Sequence, residues 1–181
     1  MSSTAKTFVS PENLLLDSFR LAGQVLESNW LPDTLLALWR GGAPIGVAVH
    51  EFLAFHNINT RHLVIKSVSY QNIDQRGEVS LECAEQTLAT ITSGERVLIV
   101  DDIFDSGNTA ATVSRRLQES GADSRIATVY WKPEKNTTTY TPDYYIHLTN
   151  DWIVFPHELQ GLTLDEVQRK SSKIAALLKH Q

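Results

Sequence analysis

Short apolar runs alternate with amphipathic segments along the first two thirds of the chain. Residues 44–56 and 108–120 have helical periodicity, and the second segment closes at Gly121, as helices often do. The runs between them are too short for helices and are typical of strands buried on both faces. They are TLLAL at 34–38, HLVIK at 62–66, VLIV at 97–100 and IATVYW at 126–131. This alternation predicts an α/β fold, with a central parallel sheet flanked by helices.

Both ends of the chain also carry helix signals. Ser10 as N-cap and Pro11 at the first helical position predict a helix from residue 10 to about 28. Beyond Trp131 come two short apolar stretches, YYIHL and WIVF, and then a capping box that starts at Thr163 and predicts a terminal helix. The apolar face of that helix would be formed by Leu164, Val167, Ile174 and Leu178.

The polar stretch at 67–94 fits this alternation poorly. We predict a long mobile excursion there, with a short helical pattern at 83–92. The chain has no internal repeat, and its 181 residues are enough for one core but few for two. We therefore predict a single domain over residues 1–181, with its core at about 30–131.

Charge and cysteine content exclude several classes of function. The net charge of −5 disfavours a nucleic acid partner, because binding to phosphate backbones needs a surplus of Lys and Arg on one face. A single cysteine, Cys83, excludes an internal disulfide and a cysteine zinc cluster. No apolar run approaches the roughly 18 residues of a membrane span, so no membrane association is expected.

The start of the chain carries charges from Lys6 onward and no long apolar run, which favours a cytoplasmic location. The glycosylation sequon at Asn136 is accordingly interpreted as a chance match. Five histidines lack metal-ligand spacing and are interpreted as surface or packing residues: His50, His56, His62, His147 and His180.

Three carboxylates follow the run VLIV, in the sequence VLIVDDIFDSGNTA at 97–110. In a parallel sheet, ligands bind at the carboxyl ends of the strands, which is where Asp101 and Asp102 emerge. Asp105 begins a small polar loop that leads into a helix, where backbone N–H groups and the positive helix end suit a phosphate. Gly107 allows the backbone to approach that anion closely.

Carboxylates repel a phosphate, so the aspartates must face another group, such as sugar hydroxyls or a divalent cation. The stretch therefore predicts a sugar phosphate that is held at both ends. A Walker loop is excluded by the missing Gly-Lys-[Ser/Thr], and an Asp-x-Asp nucleophile motif is excluded by Ile103. Helix capping would explain one carboxylate and leave the other two without a role.

VLIVDDIFDSGNTA resembles the 5-phosphoribosyl-1-diphosphate (PRPP) motif of type I phosphoribosyltransferases. The resemblance implies the type I phosphoribosyltransferase fold, with a flexible hood loop and a small C-terminal base-recognition region at about 131–160. It implies that Asp101 and Asp102 bind the ribose hydroxyls of PRPP. The loop that cradles the 5-phosphate would consist of Asp105, Ser106, Gly107, Asn108 and Thr109, with Ser106 where Thr is more usual.

A second glycine-containing stretch, WRGGAPIG at 39–46, follows a predicted strand and opens a helix. Its glycines place further backbone donors at a second strand end. The stretch resembles the family's diphosphate loop, which implies that Trp39, Arg40, Gly41 and Gly42 bind diphosphate. In the family a peptide bond just before the glycines is often cis; here that bond would be Trp39–Arg40, and the sequence does not decide its geometry. Taken alone, the two glycines would also fit an ordinary turn.

Ser69 and Tyr70 lie where the family carries its hood loop, which closes over the reacting centre and excludes water. The alternative for Tyr70 is packing at the base of a loop. The resemblance places this hood loop at about residues 67–94, the same polar stretch that fits the alternation poorly.

Lys132 and Trp152 match positions that bind the base in the 6-oxopurine branch of the family. There a Lys donates to the purine O6 and an aromatic side chain stacks on the ring, while a main-chain carbonyl near Ile153 would face the 2-position. An ammonium only donates, so it suits a carbonyl oxygen and not the amino group of adenine. Taken singly, a surface Lys and a core Trp are the alternatives. His157 replaces the Trp of some members.

The resemblance implies a phosphoribosyltransferase of purine salvage that joins N9 of hypoxanthine, guanine or xanthine to C1 of PRPP and releases diphosphate. Asp105 would be the catalytic residue near purine N7. Mg²⁺ is the expected cofactor, held mainly through PRPP and water, and a homodimer or homotetramer is expected. Two alternatives stay open: a PRPP-binding regulatory protein without catalysis, and a phosphoribosyltransferase for another base.

Overall fold

The structure, a computed structural model, describes residues 6–66, 68–69, 79–80 and 84–178. The strands are β1 (Lys6–Phe8), β2 (Thr34–Trp39), β3 (Arg61–Lys66), β4 (Val68–Ser69), β5 (Val79–Ser80), β6 (Arg96–Phe104), β7 (Asp123–Trp131), β8 (Tyr144–Leu148) and β9 (Trp152–Val154). The helices are α1 (Pro11–Glu27), α2 (Gly42–Phe55), α3 (Ala84–Leu88), α4 (Asn108–Glu119), α5 (Leu164–Lys170) and α6 (Ser172–Leu178), with a 3-10 turn at Pro133–Lys135.

The chain divides into two compact units. The larger unit is Leu15–Asn150, and the smaller one combines the two chain ends, Met1–Leu14 and Asp151–Gln181. The single domain over residues 1–181 stays a prediction.

A five-stranded parallel sheet forms the centre of the larger unit, in the order β3-β2-β6-β7-β8. This confirms the predicted α/β architecture with a parallel sheet and flanking helices. Helix α1 begins and helix α4 ends close to the positions that the sequence signals predict. The N–H of Asn13 donates to Ser10 Oγ at 3.1 Å at the start of α1, and Gly121, with φ of 83°, follows the end of α4.

Residues of β2 and β6 form the buried core of the larger unit together with residues of α4. Leu36 on β2 and Ile99 on β6 are fully buried, as are Val113 and Leu117 on α4 to within 1%. Burial of each such aliphatic side chain contributes roughly 1.5–3 kcal/mol. The strands β2 and β6 are therefore anchored in a buried apolar core.

The prediction that all four runs are buried on both faces is wrong for β3. Only Ile65 of its six residues is buried, whereas Val64 is 51% exposed. The physical reason is that β3 lies at the edge of the sheet, with β2 as its neighbour on one side.

The smaller unit is built on a parallel pair of three-residue strands, β1 and β9. Lys6 lies opposite Trp152 and Thr7 lies opposite Ile153. The predicted capping box is confirmed, because Thr163 Oγ1 accepts from the N–H of Glu166 and the Glu166 side chain accepts from the N–H of Thr163.

The single terminal helix is a wrong prediction. Ser171, with φ of −163° and ψ of 116°, is extended and separates α5 from α6. Val167 and Ala175 are the buried residues of these helices, whereas Leu164 and Leu178 are 48% and 42% exposed. The extended residue interrupts the helical repeat, so one helical periodicity cannot describe both segments.

Only part of the predicted hood loop belongs to the described residues. Ser69 pairs with Val79 in the two-stranded antiparallel sheet formed by β4 and β5, and α3 confirms the short helical pattern. Tyr70 lies outside the described residues. In the part of the chain that the structure describes, no helix is long and apolar enough to cross a membrane.

Candidate functional site

The two glycine-containing loops meet because β2 and β6 are hydrogen-bonded neighbours, with Ala37 opposite Val100. A Cβ atom added to Gly41 would lie 2.1 Å from Oδ2 of Asp102, and one added to Gly42 would lie 2.1 Å from the carbonyl oxygen of Val100. Both positions thus need glycine for close approach, not for an unusual φ. Gly41 and Asp102, predicted to bind different parts of one ligand, are in contact.

The Trp39–Arg40 peptide bond, whose geometry the sequence left open, is cis. Trp39 is 52% exposed and Arg40 is also exposed, so both side chains reach solvent beside the strand end. Gly41 is the N-cap of α2, without a side-chain hydrogen bond to the helix. This loop therefore differs from an ordinary surface turn in its backbone and in its contact with a carboxylate.

The carboxylates of Asp101 and Asp102 concentrate negative charge at the end of β6. Oδ1 of Asp101 accepts from the N–H of Asp102 at 3.0 Å, and Asp102 is 8% exposed. Burial, followed by the negative charge of Asp102, raises the pKa of Asp101 well above its usual value. Hydroxyl donors or a cation would therefore stabilise the pair.

Such a carboxylate pair fits a hard divalent cation that is bound mostly by other oxygens. Among the described residues, no group of three or more His, Cys, Asp or Glu side chains could hold a metal ion. Within the described residues, Asp101 and Asp102 are therefore a carboxylate pair and not a complete cage for a metal ion.

The loop after β6 is shaped by a left-handed glycine. Gly107 has φ of 79°, and a Cβ atom added to it would lie 2.6 Å from the ring of Phe104. The loop borders a cavity of about 100 Å³, which is lined in part by Asp101, Ser106 and Thr109. Two residues of β7 that were not predicted, Ile126 and Thr128, also line it. Their only sequence signal is membership of a predicted strand, because the sequence does not show that this strand lies next to β6.

A further set of residues supports this loop from outside. The N–H of Thr137 donates to the carbonyl oxygen of Ser106 at 3.0 Å, and Thr137 Oγ1 contacts the same oxygen at 3.2 Å. Asn136 donates to the carbonyl oxygen of Tyr140 at 2.8 Å and accepts from the N–H of Thr138 at 2.9 Å. The sequon at Asn136 therefore coincides with a turn that braces the loop, a role that sequence reasoning missed.

Lys132 and Asp105 come together from the ends of two neighbouring strands. Nζ of Lys132 lies 3.2 Å from Oδ2 of Asp105, and Lys132 is 8% exposed. Its N–H donates to the carbonyl oxygen of Phe104 at 2.9 Å, so the backbone is also fixed. The interpretation of Lys132 as a surface cation is therefore wrong.

In the smaller unit, the ring of Trp152 is 57% exposed, and Ile153 is 7% exposed. The interpretation of Trp152 as a core residue is wrong, because its position at the start of β9 leaves the ring accessible. Phe155 and His157 stack with their ring centroids 5.6 Å apart. The exposed Trp152 is thus available to a planar ligand.

Replacement of Gly41 by Ala is expected to weaken PRPP binding by at least about tenfold, because the new methyl group would displace the Asp102 carboxylate. Calorimetric titration with PRPP and Mg²⁺ measures the effect. Gly23→Ala is the matched control, since nothing lies within 4 Å of a Cβ there and Gly23 is inside α1. That variant should keep its affinity and gain roughly 0.5–1 kcal/mol of stability. Equal affinities for PRPP in the two variants would contradict the prediction that the loop at Gly41 binds PRPP.

The family profile described as "Phosphoribosyl transferase domain" matches residues 6–162 of the chain. A hypoxanthine-guanine phosphoribosyltransferase from Lactococcus lactis subsp. lactis is 28% identical over 152 residues, which cover 82% of this chain and 80% of that protein.

Solved structures show the same likeness. A purine phosphoribosyltransferase from Pyrococcus horikoshii is 28% identical, with a TM-score of 0.68 over 87% of this chain and 97% of that one. A hypothetical protein from Neisseria gonorrhoeae with bound ppGpp has a TM-score of 0.72 at 18% identity, over 96% and 99% of the two chains. At that identity the likeness shows a shared fold alone.

Proposed function

The chain belongs to the phosphoribosyl transferase domain family, and from that premise we propose that it transfers the 5-phosphoribosyl group of PRPP to N9 of a 6-oxopurine. Diphosphate leaves and the nucleoside monophosphate is formed, as in purine salvage. The names of the two relatives at 28% identity, a hypoxanthine-guanine and a purine phosphoribosyltransferase, support a purine as the acceptor.

The observation that carries this proposal is the contact between Lys132 and Asp105. It joins an ammonium, which can only donate, to a carboxylate, which can take a proton, at the same end of the sheet as Asp101 and Asp102. A 6-oxopurine presents a carbonyl oxygen beside N7, and these two groups match that pair. Adenine would set its amino group against the ammonium.

The ribose and its 5-phosphate would be held by different parts of one strand and loop. Asp101 and Asp102 would accept from the ribose hydroxyls, which stabilises their crowded charge. The phosphate would bind at Ser106, Gly107 and Thr109, where the loop enters α4. Arg40 and the backbone at Gly41 would face the diphosphate.

In the reaction, the bond from C1 to the diphosphate oxygen breaks with its electron pair on the leaving group, and the bond from N9 to C1 forms with inversion. Asp105 would take or share the N7 proton as the base becomes nucleophilic. Lys132 would stabilise the negative charge that grows on O6, and Trp152 would stack on the purine ring.

Mg²⁺ is proposed as the cofactor, because it is a hard cation whose preferred ligands are phosphate oxygens and water, and PRPP would bring the phosphate oxygens. It would supply charge neutralisation of the diphosphate leaving group. Most of its ligands would be PRPP oxygens and water. Asp101 and Asp102 would bind the ribose of PRPP, whose diphosphate oxygens bind the Mg²⁺ ion.

A diphosphate-release assay tests the proposal, with PRPP, Mg²⁺ and each of hypoxanthine, guanine, xanthine, adenine, uracil and orotate in turn. Release with at least one 6-oxopurine, and none with adenine or a pyrimidine, is the expected result. Release with adenine or a pyrimidine alone would show a transferase for another base. Tight PRPP binding without release from any base would show a regulatory protein instead.

A further inference from the structure

Lys6 and Trp152 occupy opposite positions of the β1–β9 pair. Residues opposite each other in neighbouring strands project on the same side of the sheet, and here Nζ of Lys6 lies 5.9 Å from the centroid of the Trp152 ring. That distance is within reach of a cation–π interaction. The ammonium lies over one face of a ring that is still 57% exposed.

The Lys6 ammonium is itself anchored on its other side. Nζ lies 2.7 Å from Oε1 of Glu166, and Oε2 of the same carboxylate accepts from the N–H of Thr163 at 2.8 Å. The hydrogen bond from Lys6, followed by that from the Thr163 backbone, lowers the pKa of Glu166 to about 2. Glu166 therefore stays ionised at neutral pH, and the cation has a fixed partner at the start of α5.

We propose that Lys6 is a positioning residue that holds the Trp152 ring by one face and leaves the other face open to the purine base. The inference rests on the proposed function, which assigns base stacking to Trp152. An indole ring that is already ordered loses less freedom when the base binds, so the base is bound more tightly. The expected gain is roughly three- to tenfold in affinity for the base.

The contacts of a second lysine in the same unit show the difference between positioning and simple support. Nζ of Lys170 donates to the carbonyl oxygens of Phe155, at 2.6 Å, and of Glu158. Lys170 thus holds a backbone turn. Lys6 bonds to a side-chain carboxylate and faces an exposed aromatic ring, so its effect should be confined to ligands that stack on that ring.

The test compares KM for the base, KM for PRPP and kcat in Lys6→Met, Lys6→Arg and Glu166→Gln. Lys6→Met should raise KM for the base roughly three- to tenfold, with KM for PRPP and kcat within about twofold of the starting protein. Lys6→Arg should restore the affinity, because a guanidinium can make both contacts. Glu166→Gln keeps a capping-box residue but removes the anchor, and should act in the same direction as Lys6→Met.

Lys173→Met, on the exposed side of α6, is the matched control and should change none of these values. An unchanged KM for the base in both Lys6→Met and Glu166→Gln would overturn the inference while leaving the function intact. Equal losses for base and PRPP would overturn it as well, because they would show general support of the fold. Absence of turnover in the unaltered protein with every base would overturn the proposed function, and the inference with it.

Discussion

Replacement of Asp105 by Asn is expected to lower kcat by about 10²–10⁴-fold, the usual contribution of a positioned general base. Asn has nearly the same size and keeps an oxygen that can accept from Lys132, which lies 3.2 Å away in the native protein. What it loses is the ability to take the N7 proton. Because the close approach of Gly41 to Asp102 does not involve Asp105, PRPP should still bind.

Single-turnover kinetics with PRPP and the preferred base, together with calorimetry of PRPP binding, measure the two effects separately. Asp165→Asn is the matched control, the same change at the exposed first turn of α5. A kcat within a few-fold of the native value in Asp105→Asn would remove Asp105 from the mechanism. Loss of PRPP binding in Asp105→Asn would show that Asp105 contributes to PRPP binding and not to proton transfer.

Replacement of Lys132 by Met is expected to raise KM for a 6-oxopurine by about 10- to 150-fold, which corresponds to the roughly 1.5–3 kcal/mol of a hydrogen bond to a charged group. Met fills the space of the largely buried lysine stem, so the end of β7 should keep its packing. KM for PRPP should change little, because the loops that would bind PRPP are at other strand ends.

Steady-state kinetics with each substrate varied in turn check this expectation. Lys135→Met, three residues further on and exposed, controls for the loss of a positive charge near the sheet end. If the base and PRPP lost affinity equally, Lys132 would be a structural partner of Asp105 and not a reader of O6. A shift of preference toward adenine would support the donor role strongly.

The central strands and the loops after them could be predicted because each carries a local signal. The runs before Trp39 and Asp101 are continuously apolar, as buried parallel strands are, and glycines follow or lie near each strand end. The contact between Gly41 and Asp102 follows from the two strands being neighbours. The order of the strands, which brings them together, has no signature in either segment.

Features that depend on long-range pairing could not be predicted. Strand β1 has three residues, too few for a periodicity, and its partner β9 is more than a hundred positions away. The same limit applies to the contact of Thr137 with Ser106, because no periodicity or motif in the sequence links these two residues. The edge position of β3 and the break at Ser171 are likewise tertiary features, and the local pattern was misleading for both.

The hydrogen bond between Thr137 and the loop after β6 allows movement of that loop to be measured. The Thr137 amide hydrogen is engaged by the Ser106 carbonyl, so deuterium from solvent can replace it only while the two segments are apart. Its exchange rate therefore reports how often the segments around Ser106 and Thr137 separate. A ligand that holds the loop in place will lower the exchange rate of the Thr137 amide, even when the ligand carries no spectroscopic label.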